Sequence, residues 1–261
     1  MTHSTLPAAS GVAVILLSYN RPQMLEYAWR SIVQAPLRVS LGQPLARSIE
    51  GQDWIILVDD GSDVFDPHQW AAEHNITARV VAPQRSLEDR MYKPSLDALL
   101  NRAVKLAHDL GPKIVTYLCD DDLFAPGWIE AIREALTPGT EHVVRGRWDA
   151  FKDPLKGGPM AHAPKRTKKA QMDWRQMTTG NFAHRTECFV EEGLSWDETR
   201  IAVHDDFFLW RMHRIHPLNR VKLLPVLAGW RREHNFNMAH YTQHGEYGIG
   251  ADKVLERGVL E

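Results

Sequence analysis

Three consecutive aspartates, Asp120–Asp122, directly follow the short apolar run Ile114–Leu118. Adjacent carboxylates repel one another unless water or a cation compensates their charge. Oxygen ligands of this kind suit Mg²⁺ or Mn²⁺, and these ions commonly bind the phosphate oxygens of a substrate as well. The triplet therefore predicts a cation site. The alternative is an acidic turn in contact with solvent.

A second acidic pair follows another apolar run. Asp59 and Asp60 come directly after residues 54–58, and Gly61 then permits a turn. Both apolar runs have the length and composition of buried strands. Because parallel strands present their carboxyl ends at the same edge of a sheet, the two acidic groups are expected to face one crevice.

A third group of candidates lies in the C-terminal half of the chain. His204, Asp205 and Asp206 precede the apolar cluster Phe207–Trp210, which predicts a buried helix. The helix dipole favours a carboxylate at that position, and either aspartate would be well placed to act as a base. A simple helix cap would account for one of the two aspartates but not for both.

The elements that position these residues alternate along the first half of the chain. The run Val12–Leu17 predicts a strand buried on both faces, and Asn20 is expected to cap a helix that begins at Pro22. Arg79–Ala82 predicts a third strand, and Ser95 the cap of a further helix. This alternation predicts an α/β fold, with a mostly parallel twisted sheet and helices on both faces.

The later part of the chain is less regular. His142–Trp148 predicts an edge strand, and Val221–Val226 a late strand. Thr178–Arg185 is polar and is expected to line a pocket. The basic segment 152–169 is interpreted as a solvated loop, with a lid or a patch for an anionic acceptor as the alternative. Earlier in the chain, Asp66 and the proline after it predict the start of a short helix.

The composition is that of an ordinary globular protein. The 261 residues are 44% apolar and 25% charged, enough for a sizeable core. A net charge of −2 does not favour a chain built to hold nucleic acid. Cys119 and Cys188 cannot form a disulfide framework. The apolar runs are too short to span a bilayer and the start of the chain lacks a signal-peptide pattern, so the cytoplasm is the expected location.

Taken in order, the motifs resemble an inverting family 2 glycosyltransferase of the GT-A fold, most similar to the spore-coat-polysaccharide type. The matching segments are VILLSYNRP (14–22), WIILVDDGSD (54–63), KIVTYLCDDDLFAPGW (113–128), GLSWDE (193–198), HDDFFLWR (204–211) and WRREHN (230–235). The resemblance implies a Rossmann-like sheet with a smaller acceptor-side C-terminal subregion. It divides the chain into a nucleotide-sugar-binding half, an acceptor-binding and catalytic half of the same domain, and a tail: 1–137, 138–235 and 236–261.

The resemblance also implies roles for individual residues. Counted from Trp196-Asp197-Glu198, Asp205 takes the position of the catalytic base. Counted back from Leu209-Trp210, Asp206 takes it. Asp205 is preferred. Mn²⁺ or Mg²⁺ would be held by Asp120, Asp122 and His234. Many relatives carry their first acidic residue where Cys119 stands, so which two aspartates bind the metal is left open. The residues implied to contact the nucleotide sugar are Leu17, Ser18, Asn20, Arg21, Asp59, Asp60, Arg85, Arg90, Lys93, Asp120, Asp121, Arg231 and Arg232.

The implied activity is transfer of a sugar from a nucleoside diphosphate to an acceptor hydroxyl. A UDP-sugar is weakly favoured as the donor. The acceptor is unidentified, and a modified nucleic-acid base is open but not favoured. One alternative is a nucleotidyltransferase, which would carry a glycine-rich phosphate loop after the first strand, where LSYNRP has no glycine. The other is a nucleotide-sugar-binding module that has lost catalysis, although Asp205 and Asp206 are both present.

Overall fold

The computed structural model describes residues 11–33, 53–84, 96–136, 143–152, 180–190, 195–196 and 221–233. Their strands are β1 Val12–Ser18, β2 Trp54–Asp59, β3 Ala78–Val81, β4 Ile114–Cys119, β5 Asp122–Phe124, β6 Val143–Lys152, β7 Phe182–Arg185 and β8 Val221–Glu233. Their helices are α1 Pro22–Val33, α2 Pro67–Glu73, α3 Leu96–Leu110, α4 Trp128–Ala135 and α5 Thr186–Val190. The eight described strands form one sheet in the order β3-β2-β1-β4-β7-β6-β8-β5.

The first half of the sheet is parallel, as the alternating pattern predicts. β1 lies between β2 and β4 and pairs in parallel with both, and β2 pairs in parallel with β3. The register places Ser18 opposite Asp59, and Leu17 opposite Cys119. The two acidic turns therefore follow neighbouring carboxyl ends, which confirms their predicted convergence at one edge.

The second half of the sheet is mixed. β7 runs antiparallel between β4 and β6, whereas β6 and β8 are parallel and β5 is antiparallel to β8. The strand predicted at His142–Trp148 exists as β6, but the edge position was wrong, because β7 and β8 flank it on both sides. β8 also extends beyond the predicted Val226, through the WRRE segment to Glu233.

The polar segment expected to line a pocket contains a core strand instead. Phe182–Arg185 forms β7, and all four residues are buried. A fully buried strand does not line an open pocket, so the expectation is wrong for these four residues. A polar side chain can lie in a core when a partner meets its hydrogen bonds. His184 has such partners in Tyr117 and the carbonyl of Arg185.

Helices cover both faces of the sheet, which explains why β1 is apolar at successive positions. Ala13, Ile15 and Leu17 pack in one core cluster with apolar residues of α3. Val12, Val14 and Leu16 pack in a second cluster with residues of α1, α2 and α4. Successive side chains of a strand point to opposite faces, so a strand covered on both sides needs apolar residues throughout.

A buried hydrogen-bonded chain links β4, β7 and Trp196. The Nδ1 atom of His184 lies 2.8 Å from the carbonyl oxygen of Arg185, which can only accept, so Nδ1 carries the proton. Nε2 then accepts from the Tyr117 hydroxyl at 2.8 Å. The Trp196 indole donates to the same hydroxyl oxygen at 3.4 Å. Burial lowers the pKa of His184 to about 4, which keeps the imidazole neutral in this chain of bonds.

Two further predictions can be compared with the structure. Asp66 caps α2, because its side chain accepts hydrogen bonds from the amides of His68 and Gln69. Among the described residues, no helix is both long and apolar enough to cross a membrane. The predicted cap Ser95 lies outside the described residues.

Candidate functional site

Three turns meet at the carboxyl ends of β1, β2 and β4. The backbone amide of Asp60 donates to the carbonyl of Ser18 at 3.0 Å, which joins the β2 turn to the end of β1. The amide of Tyr19 donates to the Asp120 carboxylate at 3.1 Å, which joins the β1 turn to the acidic turn after β4. The candidate residues of three distant segments therefore form one continuous edge.

Asn20 connects the β1 turn to the β2 turn, and this role differs from the predicted one. The side-chain Oδ1 of Asn20 accepts hydrogen bonds from the backbone amides of Asp63 at 2.8 Å and Val64 at 3.3 Å. The backbone amide of Asn20 donates to the Ser62 hydroxyl at 2.9 Å. The expectation that Asn20 caps α1 is thus wrong. Asn20 has a φ of 54°, a left-handed conformation that asparagine tolerates and that fits this reversal of the chain.

The two aspartates at the end of β2, Asp59 and Asp60, have different surroundings. The Asp59 carboxylate is fully buried and accepts from the amides of Gly61 at 3.0 Å and Ser62 at 2.7 Å, and from the Ser62 hydroxyl at 2.6 Å. Asp59 therefore closes its own turn, in which Gly61 has a φ of 81°. Asp60 is also buried, at 4% exposure, beside Ser18.

Ser18 contributes a buried hydroxyl at the same place. The residue is 5% exposed, and its Oγ has no hydrogen-bond partner among the described residues. A buried polar atom without a partner is unfavourable unless a ligand or water meets it. Ser18 and Asp60 together are suited to recognise a polar ligand at the end of β1.

Arg21 holds the acidic turn from the side of α1. Its Nη2 lies 2.5 Å from Oδ1 of Asp120, its Nε donates to Oδ2 of Asp120 at 3.2 Å, and its Nη1 donates to Oδ2 of Asp121 at 2.8 Å. Loss of hydration would lower the pKa of Arg21, but the charges of Asp120 and Asp121 outweigh it and raise the pKa. Arg21 therefore stays charged and compensates part of the negative charge of the turn.

A cation could be held beside this ion pair. One ligand atom each from Cys119, Asp121 and Asp122 lies within 4.8 Å of the others. Asp122 is buried and begins β5, so the third carboxylate of the triplet belongs to a strand rather than to the predicted loop. The two carboxylates suit Mg²⁺ or Mn²⁺, and a neighbouring thiol suits Mn²⁺ better than Mg²⁺. This donor set fits a divalent cation.

Asp120 is placed differently from its predicted metal role. Both of its carboxylate oxygens are engaged, by Arg21 and by the amide of Tyr19, and its side chain is only 2% exposed. The grouping of Cys119, Asp121 and Asp122 does not include it. The assignment of Asp120 to the metal stays a prediction, and the contacts favour a structural role for this carboxylate.

The C-terminal strand brings two more predicted residues to the acidic turn. In the antiparallel pairing of β5 with β8, the backbone of Arg231 lies opposite Asp122. Arg232 follows within β8. The remaining predicted site residues, Arg85, Arg90, Lys93, Asp205, Asp206 and His234, lie outside the described residues, and their roles stay predictions.

Asn101 is a residue that the sequence reasoning missed. Its side chain accepts from the amide of Trp196 at 2.8 Å and donates to the carbonyl of Trp196 at 3.1 Å. Asn101 thereby anchors Trp196, which belongs to the GLSWDE segment. The available signal was a polar residue between the apolar positions Leu100 and Ala103 of an amphipathic helix.

Comparisons with known proteins identify the fold. No protein-family model and no curated protein matches the sequence. S. aureus TarS matches with a TM-score of 0.57 at 14% identity, over 85% of this chain and 37% of that chain. S. aureus TarS 1-349 in complex with UDP-GlcNAc matches with a TM-score of 0.56 at 15% identity, over 87% of this chain and 60% of that one.

A second enzyme has the same architecture. Glucosyl-3-phosphoglycerate synthase from Mycobacterium tuberculosis, in complex with Mn²⁺ and UDP-glucose, matches with a TM-score of 0.53 at 15% identity, over 88% of this chain and 73% of that chain. The chain thus has the α/β fold of GT-A glycosyltransferases, and it spans 37% of the matched TarS chain. At these identities the likeness concerns the fold, and function has to be argued from the site.

Proposed function

We propose that this chain is a metal-dependent, inverting glycosyltransferase that uses a nucleoside diphosphate sugar. The observation that carries the proposal is the convergence of Ser18, Asp60 and the Asp121–Asp122 pair at one edge of a GT-A sheet. In open α/β sheets, ligands bind at the carboxyl ends of the strands. The edge offers polar groups for a nucleoside at one end and ligands for a cation at the other.

The donor is proposed to be a UDP-sugar. Asp60 can accept a hydrogen bond from the N3–H group of uracil, and the Ser18 hydroxyl has no partner among the described residues. TarS and glucosyl-3-phosphoglycerate synthase, which share the fold, have been solved with UDP-GlcNAc and with UDP-glucose. The acceptor is proposed to be a compound whose hydroxyl group reaches the same edge.

The cation is proposed to lie on Asp121 and Asp122, with the Cys119 thiol beside it. When bound, Mn²⁺ or Mg²⁺ would stabilise the negative charge of the departing diphosphate without protonation. Arg231 lies on the strand that pairs with the acidic turn, and we assign to the diphosphate either Arg231 or its neighbour Arg232, since successive side chains of a strand point to opposite faces. His234 is the proposed third metal ligand from the end of the WRREHN motif.

The chemical step needs one base. Asp205, or Asp206 in the alternative register, would take the proton of the acceptor hydroxyl while its oxygen attacks the anomeric carbon. A carbon–oxygen bond forms to the acceptor as the bond to the diphosphate breaks, and the nucleoside diphosphate leaves with the electron pair. Attack opposite to the leaving group inverts the anomeric configuration.

The finer assignments belong to the same proposal. They are membership of glycosyltransferase family 2, likeness to the spore-coat-polysaccharide type, a cytoplasmic location and the division into donor and acceptor halves. A nucleic-acid acceptor would make affinity fall steeply with salt, because phosphate contacts release counterions. An acceptor affinity that does not change with salt would exclude that class of acceptor.

A thermal-shift panel tests the proposed donor site. UDP-, GDP-, dTDP- and CDP-sugars are each added with and without Mn²⁺ to the wild type, to Asp122→Asn and to Asp109→Asn. A ligand at about 100 times its Kd stabilises the folded state by about 2.7 kcal/mol. For a chain of this size, that raises Tm by roughly 5–10 °C.

We expect a UDP-sugar to raise the Tm of the wild type only when Mn²⁺ is present, and we expect Asp122→Asn to abolish this increase. Asp109→Asn is the matched control, because Asp109 is exposed near the end of α3 and forms ion pairs with Lys105 and His108. It should retain the full shift. Absence of a shift with every donor, or a shift that Asp122→Asn retains, would refute the proposed site. Binding without turnover would favour the degenerate module.

A further inference from the structure

We infer that Arg21 is a positioning residue of the donor site, which acts through Asp120 rather than by touching the nucleotide. The inference rests on the proposed function, since it concerns the same acidic turn. It replaces the expectation that Arg21 contacts the donor directly. Its basis is the set of contacts that Arg21 makes with two carboxylates about a hundred residues away in the sequence.

The geometry of the pair is specific to a guanidinium. Arg21 binds both carboxylate oxygens of Asp120, Oδ1 through Nη2 at 2.5 Å and Oδ2 through Nε at 3.2 Å. Its Nη1 donates to Oδ2 of Asp121 at 2.8 Å. A planar fork fixes both the distance and the orientation of a carboxylate, which a lysine ammonium cannot do. Arg21 therefore sets how the turn after β4 is oriented relative to β1.

The backbone of Arg21 is itself fixed. Its carbonyl accepts from the amide of Leu25 at 2.9 Å in the first turn of α1. Two residues earlier, the amide of Tyr19 donates to the same Asp120 carboxylate. The β1–α1 connection thus binds Asp120 through the backbone amide of Tyr19 and the side chain of Arg21. Because Asp121 and Asp122 follow directly in the chain, the position of Asp120 also constrains theirs.

Charge gives Arg21 a second part in the site. The three carboxylates of Asp120–Asp122 and the guanidinium of Arg21 together carry a net charge equal and opposite to that of one divalent cation. Without Arg21, the turn would carry one more uncompensated negative charge, and its carboxylates would repel one another more strongly. That extra charge by itself would attract a cation more strongly, so a loss of Mn²⁺ affinity without Arg21 would come from the lost orientation of the turn and not from its charge.

A direct contact with the diphosphate is disfavoured by burial. All three guanidinium nitrogens of Arg21 already contact Asp120 or Asp121, and turning the side chain to a phosphate would leave Asp120, whose side chain is 2% exposed, without its cation. A buried carboxylate without its cation is strongly unfavourable. Asp120 is thus paired with Arg21 in the structure, and the proposed cation would lie on Asp121, which Arg21 also contacts, and on Asp122.

A double-mutant cycle separates the two roles of Arg21. Arg21→Gln, Asp120→Asn and the double variant are compared with the wild type for Mn²⁺ binding, followed by electron paramagnetic resonance of the free ion. UDP binding is then titrated with and without Mn²⁺. Removing the partner that orients a metal ligand typically weakens metal binding by roughly 10- to 100-fold.

We expect each single variant to lose affinity for Mn²⁺ within that range, and the double variant to be no weaker than either single one. Arg21→Lys should lose as much as Arg21→Gln, because the charge remains but the fork is gone. UDP affinity without Mn²⁺ should be unchanged. Arg30→Gln, on the exposed side of α1, is the matched control and should bind Mn²⁺ like the wild type.

Additive losses in the double variant would overturn the inference, because independent contacts add. So would a loss of metal-free UDP binding in Arg21→Gln, which would indicate direct contact with the nucleotide. Far-ultraviolet circular dichroism shows whether each variant is folded, and Arg21→Lys remains as the test if Arg21→Gln is not. A wild type that binds Mn²⁺ but no nucleotide would refute the proposed function. The double-mutant cycle of Mn²⁺ affinities would then still test the role of Arg21. A wild type that binds neither would overturn both.

Discussion

Acidification should destabilise this fold through His184. The imidazole is buried and neutral between Tyr117 and the Arg185 carbonyl, and its folded-state pKa is lowered to about 4. In the unfolded chain a histidine has a pKa of about 6.5. As the pH falls, the unfolded chain therefore takes up this proton first, and stability is lost between the two pKa values.

The magnitude follows from the two pKa values. At pH 5 nearly all unfolded chains carry the proton and few folded ones do, so His184 alone lowers the free energy of unfolding by about 2 kcal/mol relative to pH 8. The full loss, below pH 4, approaches roughly 3 kcal/mol. Above pH 7 the contribution of this residue is constant, because both states are then unprotonated.

Urea unfolding of the wild type and His184→Gln at pH 8, 6 and 5 measures this effect. His184→Gln is expected to be less stable at pH 8, since it disturbs the bond to Tyr117. Its stability should nevertheless fall less between pH 8 and pH 5, by about 2 kcal/mol, because the titrating group is gone. All other ionisable groups are common to both proteins and cancel in the comparison. Parallel pH dependences would refute the neutral, buried imidazole.

Three further changes give separate tests. Gly146→Ala should destabilise the fold by about 1–3 kcal/mol, seen in urea unfolding, because a Cβ there would lie 2.7 Å from both the Ala228 Cβ and the Trp128 ring; an unchanged midpoint would contradict the packing of β6. Cys119→Ser should weaken binding of Cd²⁺ but not of Mg²⁺, and it should remove the sulfur-to-cadmium absorption band. Cys188→Ser, in the core, should keep both the Cd²⁺ affinity and the band. A Cys119→Ser variant that still shows the band would exclude the thiol from the site. Asp205→Asn should leave Mn²⁺-dependent UDP binding intact and abolish turnover, measured as UDP release; normal turnover here together with loss in Asp206→Asn would move the base by one residue.

The parallel half of the sheet was predictable because its sequence pattern is local. β1, β2 and β4 are continuous apolar runs, and each is followed by a polar turn. Strands buried on both faces produce that pattern directly. The placement of Ser18, Asp59 and Cys119 at one edge then follows from the parallel arrangement alone.

The mixed half was not predictable in the same way. β7 lies beside β4 although it comes much later in the sequence, and its polar residue His184 is buried because Tyr117 supplies a hydrogen bond across 67 positions. Neither the partner strand nor the partner side chain leaves a local signal. The edge position assigned to β6 failed for the same reason, since β8 is recruited from the far end of the chain.

Within the site, residue types were predicted better than residue partners. The acidic triplet and the β2 aspartates were found from composition and spacing. The individual roles of these residues depend on their contacts. Asp59 closes its own turn, Asp120 binds Arg21, and Asn20 binds the β2 turn instead of capping α1. The contacts of Asn20 and Asp120 require the fold to be known, because they join segments about 40 and 100 residues apart.

The central claim is that the turn after β4 holds the cation of a nucleoside diphosphate. The most direct measurement is an anomalous difference map from crystals grown with Mn²⁺ and UDP. The account predicts a manganese peak in contact with carboxylate oxygens of Asp121 and Asp122 and with the diphosphate, while Asp120 stays paired with Arg21. A peak bound by Asp120 with Arg21 turned away, or UDP bound elsewhere on the protein, would contradict it.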